Sequence, residues 1–258
     1  MEHVHVRREG AMTIVTIDRP DRLNALHPPA HHELAAVFDE FARDPDQWVA
    51  VLTASGDRAF CAGNDLRFRA EHGRQPMPAS GFGGLASRFD LNKPVIAAVN
   101  GLAAGGGFEL ALACDIVVAG EHATFSLPEV QVGLAALAGG LHRLPRHVGL
   151  KVAMGIALTG RRVDAAEALR LGLVNQVVAR GAELSGAFDW ARTILDAAPL
   201  AVRATKATLL QGLEISELAA AMQAQERNAA VHAMRDSADA LEGPRAFAER
   251  RKPDWLGR

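Results

Sequence analysis

Residues 93–115 combine a buried strand, a glycine-rich turn and the beginning of a helix. The segment reads KPVIAAVNGLAAGGGFELALACD. Its apolar run from Val95 to Val99 is short and ends at an Asn-Gly pair, a pattern typical of a strand that is covered on both faces. We expect a helix to follow at once, beginning at Gly105-Gly106-Gly107. The residues expected on the buried face of this helix are Leu110, Ala111 and Cys114.

The glycine turn is a candidate binding site for negative charge. Without Cβ atoms the backbone can be approached closely, and the first N–H groups of a helix have no intrahelical partner. These groups and the helix dipole favour an oxyanion as much as a phosphate. Glu109, three residues after Gly106, adds a carboxylate on the same face. Alternatively, the glycines only allow the strand and the helix to pack tightly, and Glu109 only complements the helix dipole. The glycine spacing is not the G-x-G-x-x-G of a dinucleotide-binding fingerprint.

Composition restricts the class of protein. The chain has 258 residues, 49% hydrophobic and 22% charged, which predicts an ordinary globular protein with a sizeable core. The net charge of -2 offers no basic field for nucleic acid or a membrane, and no stretch is long and apolar enough to span a bilayer. Cys61 and Cys114 lie in apolar or glycine-rich surroundings, and the N-terminal segment lacks the apolar core of a signal peptide. We therefore expect a reducing, cytoplasmic environment.

Histidine and cysteine spacing predicts no metal site. Neither C-x-x-C nor H-E-x-x-H occurs in the sequence. The pair His31-His32 lies in an otherwise polar helix face, and we expect both rings to be solvated at the surface.

Two segments before residue 93 bear on function. Ala59 to Leu66 follows a predicted strand at Trp48 to Thr53 and runs through small residues into Asn64 and Asp65, at a possible helix cap. Free backbone N–H groups could face a ligand here as well. Arg74 to Gly84 is rich in Pro, Gly and Ser and predicts a mobile loop or lid between helices.

The order of predicted elements divides the chain into two regions. A hairpin, a helix at Pro28 to Arg43 and further strands suggest repeated β-β-α units, and the pattern is helical from Glu183 onward. Pro199 marks the boundary. We therefore predict an α/β core at residues 1–198 and a helical C-terminal region at residues 199–258.

A second carboxylate, Glu129, lies in a turn directly after Pro128. Two buried carboxylates close together do not both ionise easily, so one keeps its proton and can act as an acid while the other acts as a base. Such a pair beside two backbone donors suits the addition of water across a double bond. The sequence alone does not bring Glu109 and Glu129 together, and a single glutamate is more often a surface residue than a catalyst.

Several motifs in order resemble the enoyl-CoA hydratase/isomerase, or crotonase, superfamily. They are FCAGNDL at residues 60–66, the segment at 93–115 and FSLPEVQVGL at 125–134, followed by GGLHRL, LTGRRVDAAEA, GLVNQVV and AFAERRKP. The match extends over nearly the whole chain in register. The resemblance implies a crotonase-like spiral of β-β-α units with a helical C-terminal region that drives trimerisation, as a homotrimer or a dimer of trimers.

By motif position the resemblance implies roles in a reaction. The N–H groups of Asn64 and Gly106 would form an oxyanion hole for the thioester carbonyl oxygen. Glu109 and Glu129 match the two glutamates that hold a water in the hydratases. Glu109 would be the base that activates this water for attack at the β-carbon, and Glu129 the acid that protonates the α-carbon. The implied function is that of an enoyl-CoA hydratase, a hydro-lyase of fatty acid metabolism and β-oxidation.

The resemblance also implies where the acyl-CoA thioester would bind. Coenzyme A is part of the substrate, so no separate cofactor and no metal are implied. Arg22 and Arg67 suit the CoA phosphates by charge, although each could equally be a solvated surface arginine. The residues expected at the substrate are Arg22, Asn24, Ala25, Ala62, Gly63, Asn64, Asp65, Leu66, Arg67, Gly106 and Leu137.

One position departs from the hydratase pattern. Hydratases commonly read P-x-A-G-G or P-G-A-G-G after the second glutamate, whereas this chain has ALAGG at residues 136–140. Leu137 replaces a small residue whose N–H helps to seat the water, so we expect a reshaped acyl pocket. A Δ3,Δ2-enoyl-CoA isomerase or a carnitinyl-CoA-type dehydratase stays open as an alternative. The near-neutral charge and the two glutamates disfavour a non-catalytic RNA-binding homologue.

Overall fold

The computed structural model describes residues 1–258, and its strands form two sheets. The ten strands are β1 (Val4–Glu9), β2 (Met12–Ile17), β3 (Val49–Ala54), β4 (Ala59–Cys61), β5 (Val95–Val99), β6 (Leu102–Ala104), β7 (Ile116–Gly120), β8 (Thr124–Ser126), β9 (Val163–Asp164) and β10 (Gln176–Val178).

From β3 to β8, consecutive strands alternate between the two sheets. The large sheet has the order β1-β2-β3-β5-β7-β10, and the small sheet has the order β4-β6-β8-β9. The strands β2, β3, β5, β7 and β10 run parallel, while β1 pairs with β2 as an antiparallel hairpin. The pairs β3-β4, β5-β6 and β7-β8 thus each place one strand in either sheet. This stacking of β-β-α units is the predicted spiral, and the fold class is confirmed.

Helices cover both sheets and form the C-terminal region. They are α1 (Pro28–Arg43), α2 (Leu66–His72), α3 (Gly106–Ala113), α4 (Gly140–His147), α5 (Leu150–Thr159), α6 (Ala165–Arg170), α7 (Glu183–Leu195), α8 (Pro199–Gly212), α9 (Leu218–Gln225), α10 (Ala229–Arg235) and α11 (Ala238–Glu249). None of them is long and apolar enough to cross a membrane. Short 3-10 turns lie at Pro20–Arg22, Phe82–Gly84 and Pro128–Val132.

The central strands of the large sheet are buried on both faces, because successive residues point to opposite faces and nearly all of them are apolar. In β2, Val15 and Ile17 belong to the main core, which also contains Phe38 of α1. Met12 and Ile14 belong to a smaller cluster that packs beneath α7. Strand β5 is completely buried, as its apolar sequence predicts.

The stretch at residues 93–115 differs from the sequence prediction in two ways. A short strand, β6, lies between β5 and the glycine turn and pairs with β4 and β8. Helix α3 begins at Gly106 as expected, but it is buried on every side rather than along one face. The three residues predicted on its buried face, Leu110, Ala111 and Cys114, are all buried, so this prediction is confirmed. A helix enclosed all round brings its carboxylate, Glu109, into the interior.

Helix α8 begins at Pro199, after α7 has ended at Leu195. The last residues lie against the segment after α7, where Trp255 Nε1 donates to the carbonyl oxygen of Asp196 at 2.9 Å. Several large apolar side chains of this region are exposed, and they are Leu209, Leu210, Leu213, Leu218, Met222, Leu241 and Phe247.

Candidate active site

One large cavity lies where the carboxyl ends of the strands meet the start of α3. Its volume is about 590 Å³, and its lining includes four predicted site residues, Asn64, Gly106, Glu109 and Glu129. These residues come from the loop after β4, from the first turn of α3 and from the 3-10 turn after β8. The alternation of strands between two sheets therefore brings together residues that are distant in the sequence.

Two backbone N–H groups in this cavity are free to donate. The loop after β4 is held on either side of Asn64, because Leu26 N donates to Gly63 O and Asp65 N donates to Leu26 O, both at 2.8 Å. The Asn64 N–H donates to no backbone carbonyl. Gly106 is the first residue of α3, so its N–H has no partner within the helix.

Gly63 allows these two donors to come close together. It has a φ of +91°, and a Cβ at this position would lie 2.8 Å from Ala104 O and 3.1 Å from Gly106 N. Any side chain would therefore push the loop of Asn64 away from the start of α3. Two unpaired backbone N–H groups beside a helix N-terminus are the kind of donors that an oxyanion hole requires.

Glu109 is a buried carboxylate that is held by the backbone. It is 3% exposed, and its Oε1 accepts a hydrogen bond from Gly140 N at 2.8 Å. Burial, together with the nearby Glu129, raises the pKa of Glu109 to about 7, while the N–H groups of Gly140 and Ala138 act in the opposite direction. Near neutral pH this carboxyl can therefore both accept and release a proton.

Glu129 faces the same cavity from the turn that begins at Pro128. Its Oε2 is buried and has no hydrogen-bond partner. Burial raises the pKa of this carboxyl above its ordinary value, since the charged form has lost its hydration. Gly105, which has a φ of +54°, leaves room for it, because a Cβ there would lie 2.8 Å from Glu129 Oε1. The cavity thus holds two carboxyls beside two free N–H donors.

Comparison with known proteins identifies the family of this chain. Residues 7–258 match the sequence profile described as enoyl-CoA hydratase/isomerase. The chain belongs to the enoyl-CoA hydratase/isomerase family. A protein named carnitinyl-CoA dehydratase from Proteus mirabilis is 42% identical over 265 residues, which span 100% of this chain and 99% of that protein.

Solved structures of the family share the fold. An enoyl-CoA hydratase from Mycobacterium tuberculosis superposes with a TM-score of 0.93 and 39% identity, covering 99% of each chain. A carnitinyl-CoA hydratase from Mycobacterium avium superposes with a TM-score of 0.78 and 40% identity, covering 100% of each chain. This chain is therefore similar to family members that are named for two different substrates.

Some of the residues predicted to bind substrate line the cavity, and others do not. Those that line it are Ala62, Gly63, Asn64, Leu66, Gly106 and Leu137. Those that lie outside its lining are Arg22, Asn24, Ala25, Asp65 and Arg67. Arg22 and Arg67 are exposed, at the end of the turn Pro20–Arg22 and in the first turn of α2.

The side chains of Asn24 and Asp65 are occupied by the protein itself. Asn24 Nδ2 donates to Ala59 O at 2.7 Å and to Ser55 O at 3.0 Å. Asp65 caps α2 by accepting from Phe68 N at 3.1 Å, and it pairs with Arg19. Both side chains therefore hold the loop of Asn64 in place rather than point a free polar atom at a ligand.

Leu137 lines the cavity with a side chain that is 80% exposed. Its N–H donates to Ala135 O at 3.0 Å, so this N–H is not free to seat a water. Ala136, the neighbouring residue, is buried. Leu137 therefore places an apolar side chain at the rim of the cavity, and its N–H is not available as the predicted donor.

The sequence interpretation missed His31 and Phe82, which both line the cavity. His31 is 1% exposed, so the prediction of a solvated pair was wrong for His31 and right for the exposed His32. The signal was present, since His31 lies three and seven positions before the buried Leu34 and Phe38 of α1.

The segment at residues 74–84 is divided between surface and core. Arg74 and Met77 are exposed and line the cavity. Phe82–Gly84 is buried, and a Cβ on Gly84 would lie 2.7 Å from the backbone of Ala35. The end of the predicted lid is therefore a packed part of the core.

Proposed function

We propose that this protein is a hydro-lyase that reversibly adds water to the double bond of a 2-enoyl-CoA thioester. The observation that carries the proposal is the meeting of Glu109 and Glu129 in one cavity with the free N–H groups of Asn64 and Gly106. Family membership supports the same conclusion. Hydration needs a base for water, an acid for carbon and a site for the charge on the thioester oxygen.

The proposed reaction uses each of these groups once. The thioester oxygen accepts hydrogen bonds from the Asn64 and Gly106 N–H groups. Glu109 removes a proton from water as the water oxygen bonds to the β-carbon, and the electron pair of the double bond moves toward the thioester oxygen. Glu129 then delivers its proton to the α-carbon, and the charge on the oxygen returns to form the new C–H bond. Dehydration follows the same path in reverse.

The hydrogen bonds of the two carboxyls support this division of roles. Glu109 accepts from backbone N–H donors, which favour the ionised form that a base requires. Glu129 Oε2 is buried without a partner, which favours the protonated form that an acid requires. Burial raises the pKa of both groups, and the charge of Glu129 raises that of Glu109 further. The division of roles therefore rests on the hydrogen bonds, since only Glu109 has a donor from another element.

The coenzyme A part of the substrate would run from the cavity past Ala62 and Leu66. Both residues line the cavity. The exposed Arg67 follows Leu66 in the sequence, and the exposed Arg22 precedes Leu23, whose carbonyl oxygen accepts from Ala62 N at 3.0 Å. Their guanidinium groups suit the CoA phosphates. No metal or separate cofactor enters the proposed steps.

A carnitinyl-CoA-type dehydratase is the second candidate. Its support is the full-length similarity, at 42% identity, to a relative with that name. The exposed Leu137 at the rim supports a pocket that differs from that of the common hydratases. An enoyl-CoA isomerase would use the same oxyanion hole but would not require both carboxyls.

The two candidates are separated by comparing thioesters that differ only at the end of the acyl group. We would measure kcat/KM for the hydration of crotonyl-CoA and of its γ-trimethylammonium analogue, and identify the products by NMR. A preference for crotonyl-CoA would favour a hydratase of β-oxidation, whereas a preference for the analogue would favour the dehydratase. Migration of the double bond in 3-enoyl-CoA without any hydration would contradict both and favour an isomerase.

We further propose a homotrimer, or a dimer of trimers, located in the cytoplasm. The exposed leucines of the C-terminal helices, such as Leu209, Leu213 and Leu218, support an oligomer because monomers rarely leave so many large apolar side chains in water. Cys61 and Cys114 are free thiols, which suits a reducing compartment. Sedimentation equilibrium would give three or six times the 27.4 kDa chain mass, and a monomeric mass would contradict the proposal.

A further inference from the structure

His31 is a buried polar residue for which the proposed reaction has no role. Its ring lines the cavity, and it is 1% exposed. Its Nδ1 accepts a hydrogen bond from Gly83 N at 3.1 Å, whereas its Nε2 is buried without a partner. The one hydrogen bond of this side chain therefore fixes the turn at Phe82–Gly84.

The hydrogen bond defines the chemical state of the ring. An imidazole nitrogen accepts only when it carries no proton, so the neutral form with its proton on Nε2 is required. Burial, with a contribution from His27, His32 and Arg19, lowers the pKa of His31 to about 4. The ring is neutral at the pH at which the proposed reaction would run, and Nδ1 remains an acceptor.

The turn that His31 holds carries Phe82 to the oxyanion hole. The rings of His31 and Phe82 meet edge to face, with their centroids 4.6 Å apart. On its other side the Phe82 ring lies against Gly106, where a Cβ would be only 2.5 Å from two of the ring carbons. Phe82 is 5% exposed. The three residues thus form a continuous contact from α1 to the first turn of α3.

We propose that His31 is a positioning residue that acts through the Phe82–Gly84 turn to keep the Phe82 ring against Gly106. This role rests on the proposed function, because Gly106 supplies one of the oxyanion donors there. An aromatic ring beside the donor keeps water away from it, and an N–H dipole stabilises a developing negative charge more strongly where water is excluded. If the Phe82–Gly84 turn became mobile, water could reach Gly106 from the side that the Phe82 ring covers.

A pair of amide substitutions tests which ring nitrogen matters. In His31→Asn the side-chain oxygen can take the place of Nδ1, whereas in His31→Gln the amide reaches the place of Nε2 instead. We expect His31→Gln to lower kcat about tenfold with little change in KM, and His31→Asn to restore most of the loss. His32→Gln, on the exposed neighbour, is the matched control and should leave the kinetics unchanged.

A double-mutant cycle with Phe82→Leu tests the route through the ring. If His31 acts through Phe82, His31→Gln should add little to the loss in kcat that Phe82→Leu already causes. Independent, multiplying losses would overturn the proposal, as would full activity in a folded His31→Gln or a larger loss in His31→Asn than in His31→Gln. Circular dichroism establishes folding, and if His31→Gln does not fold, His31→Leu takes its place in both comparisons.

The same variants separate this proposal from the proposed function. If the unsubstituted protein hydrates no enoyl-CoA, the proposed function fails, and the role of His31 is judged by calorimetric binding of butyryl-CoA and of free CoA. Suppose that His31→Gln weakens the binding of butyryl-CoA but not that of free CoA, and that His31→Asn restores it. This result would still support the proposal that His31 acts through Phe82 on Gly106. Unchanged binding of both ligands would overturn it.

Discussion

Glu109 Oε1 accepts a hydrogen bond from the backbone N–H of Gly140, with 2.8 Å between oxygen and nitrogen. This contact joins the buried helix α3 to the first residue of α4. A Cβ on Gly140 would lie only 2.9 Å from the same oxygen. The contact therefore fixes the direction of the carboxylate, and it favours the charged form that burial opposes.

The first prediction concerns stability and pH. The pKa of Glu109 is raised from 4.5 to about 7 in the folded protein, so its folded state gains stability from the bound proton below about pH 4.5 and loses this gain as the pH rises toward 7. Glu109→Gln has no such proton. We expect the free energy of unfolding of the variant, relative to that of the unsubstituted protein, to rise by on the order of 3 kcal/mol as the pH increases from 4.5 to 8. Urea unfolding at several pH values measures this, and a constant difference would contradict the raised pKa.

The second prediction separates the acid from the base. A group that protonates the α-carbon also removes the α-proton in the reverse direction, without any need for the other carboxyl. In deuterated water we expect butyryl-CoA to exchange its α-proton, and Glu129→Gln to slow this exchange at least about a hundredfold. Glu109→Gln should retain most of it. NMR follows the exchange directly, and the opposite order of the two variants would reverse the assigned roles.

The third prediction tests the convergence of the two N–H donors. Gly63→Ala would place a methyl group 2.8 Å from Ala104 O and 3.1 Å from Gly106 N. We expect kcat to fall by about a hundredfold or more, because the two donors of the oxyanion hole move apart. Gly172→Ala is the matched control, since Gly172 also has a positive φ of +76° but no atom within 4 Å of the new methyl. Equal activity of the two variants would show that the spacing does not matter.

The fourth prediction distinguishes a loop anchor from a substrate contact. Asn24→Ala removes the donors to Ala59 O and Ser55 O and the acceptor of Arg19 N, leaving buried backbone groups without partners. We expect the free energy of unfolding to fall by about 2–4 kcal/mol. Arg22→Ala, on the exposed turn beside it, should instead raise KM a few-fold at unchanged stability. Unchanged stability of Asn24→Ala would contradict its role as an anchor.

The sequence predicted the parts of the site that depend on local pattern. Adjacent residues encode three features that the structure contains. They are the strand at Val95 to Val99, the helix that begins at Gly106 and the helix cap at Asp65. The strand β6 has only three residues between the Asn100-Gly101 pair and the glycine turn, so the run is too short for local pattern to separate it from the turn.

The remaining features depend on contacts between distant residues. The meeting of Glu109 with Gly140 requires α3 and α4 to pack together, which neither segment encodes by itself. The burial of His31 requires the Phe82–Gly84 turn to cover α1, although the helical spacing of His31 with Leu34 already indicated an inward face. Asn24 was predicted to bind substrate because its loop matches a binding motif. In the structure its side chain instead makes hydrogen bonds to backbone groups of the protein.

The most direct test of the proposed chemistry is the loss of the conjugated thioester absorbance when the protein is mixed with crotonyl-CoA. The unsubstituted protein should remove the absorbance rapidly until hydration reaches equilibrium. Glu109→Gln and Glu129→Gln should each slow this loss by about a hundredfold or more while still binding butyryl-CoA. Undiminished hydration by either variant, or no hydration by the unsubstituted protein, would contradict a hydratase that works through this pair of carboxyls.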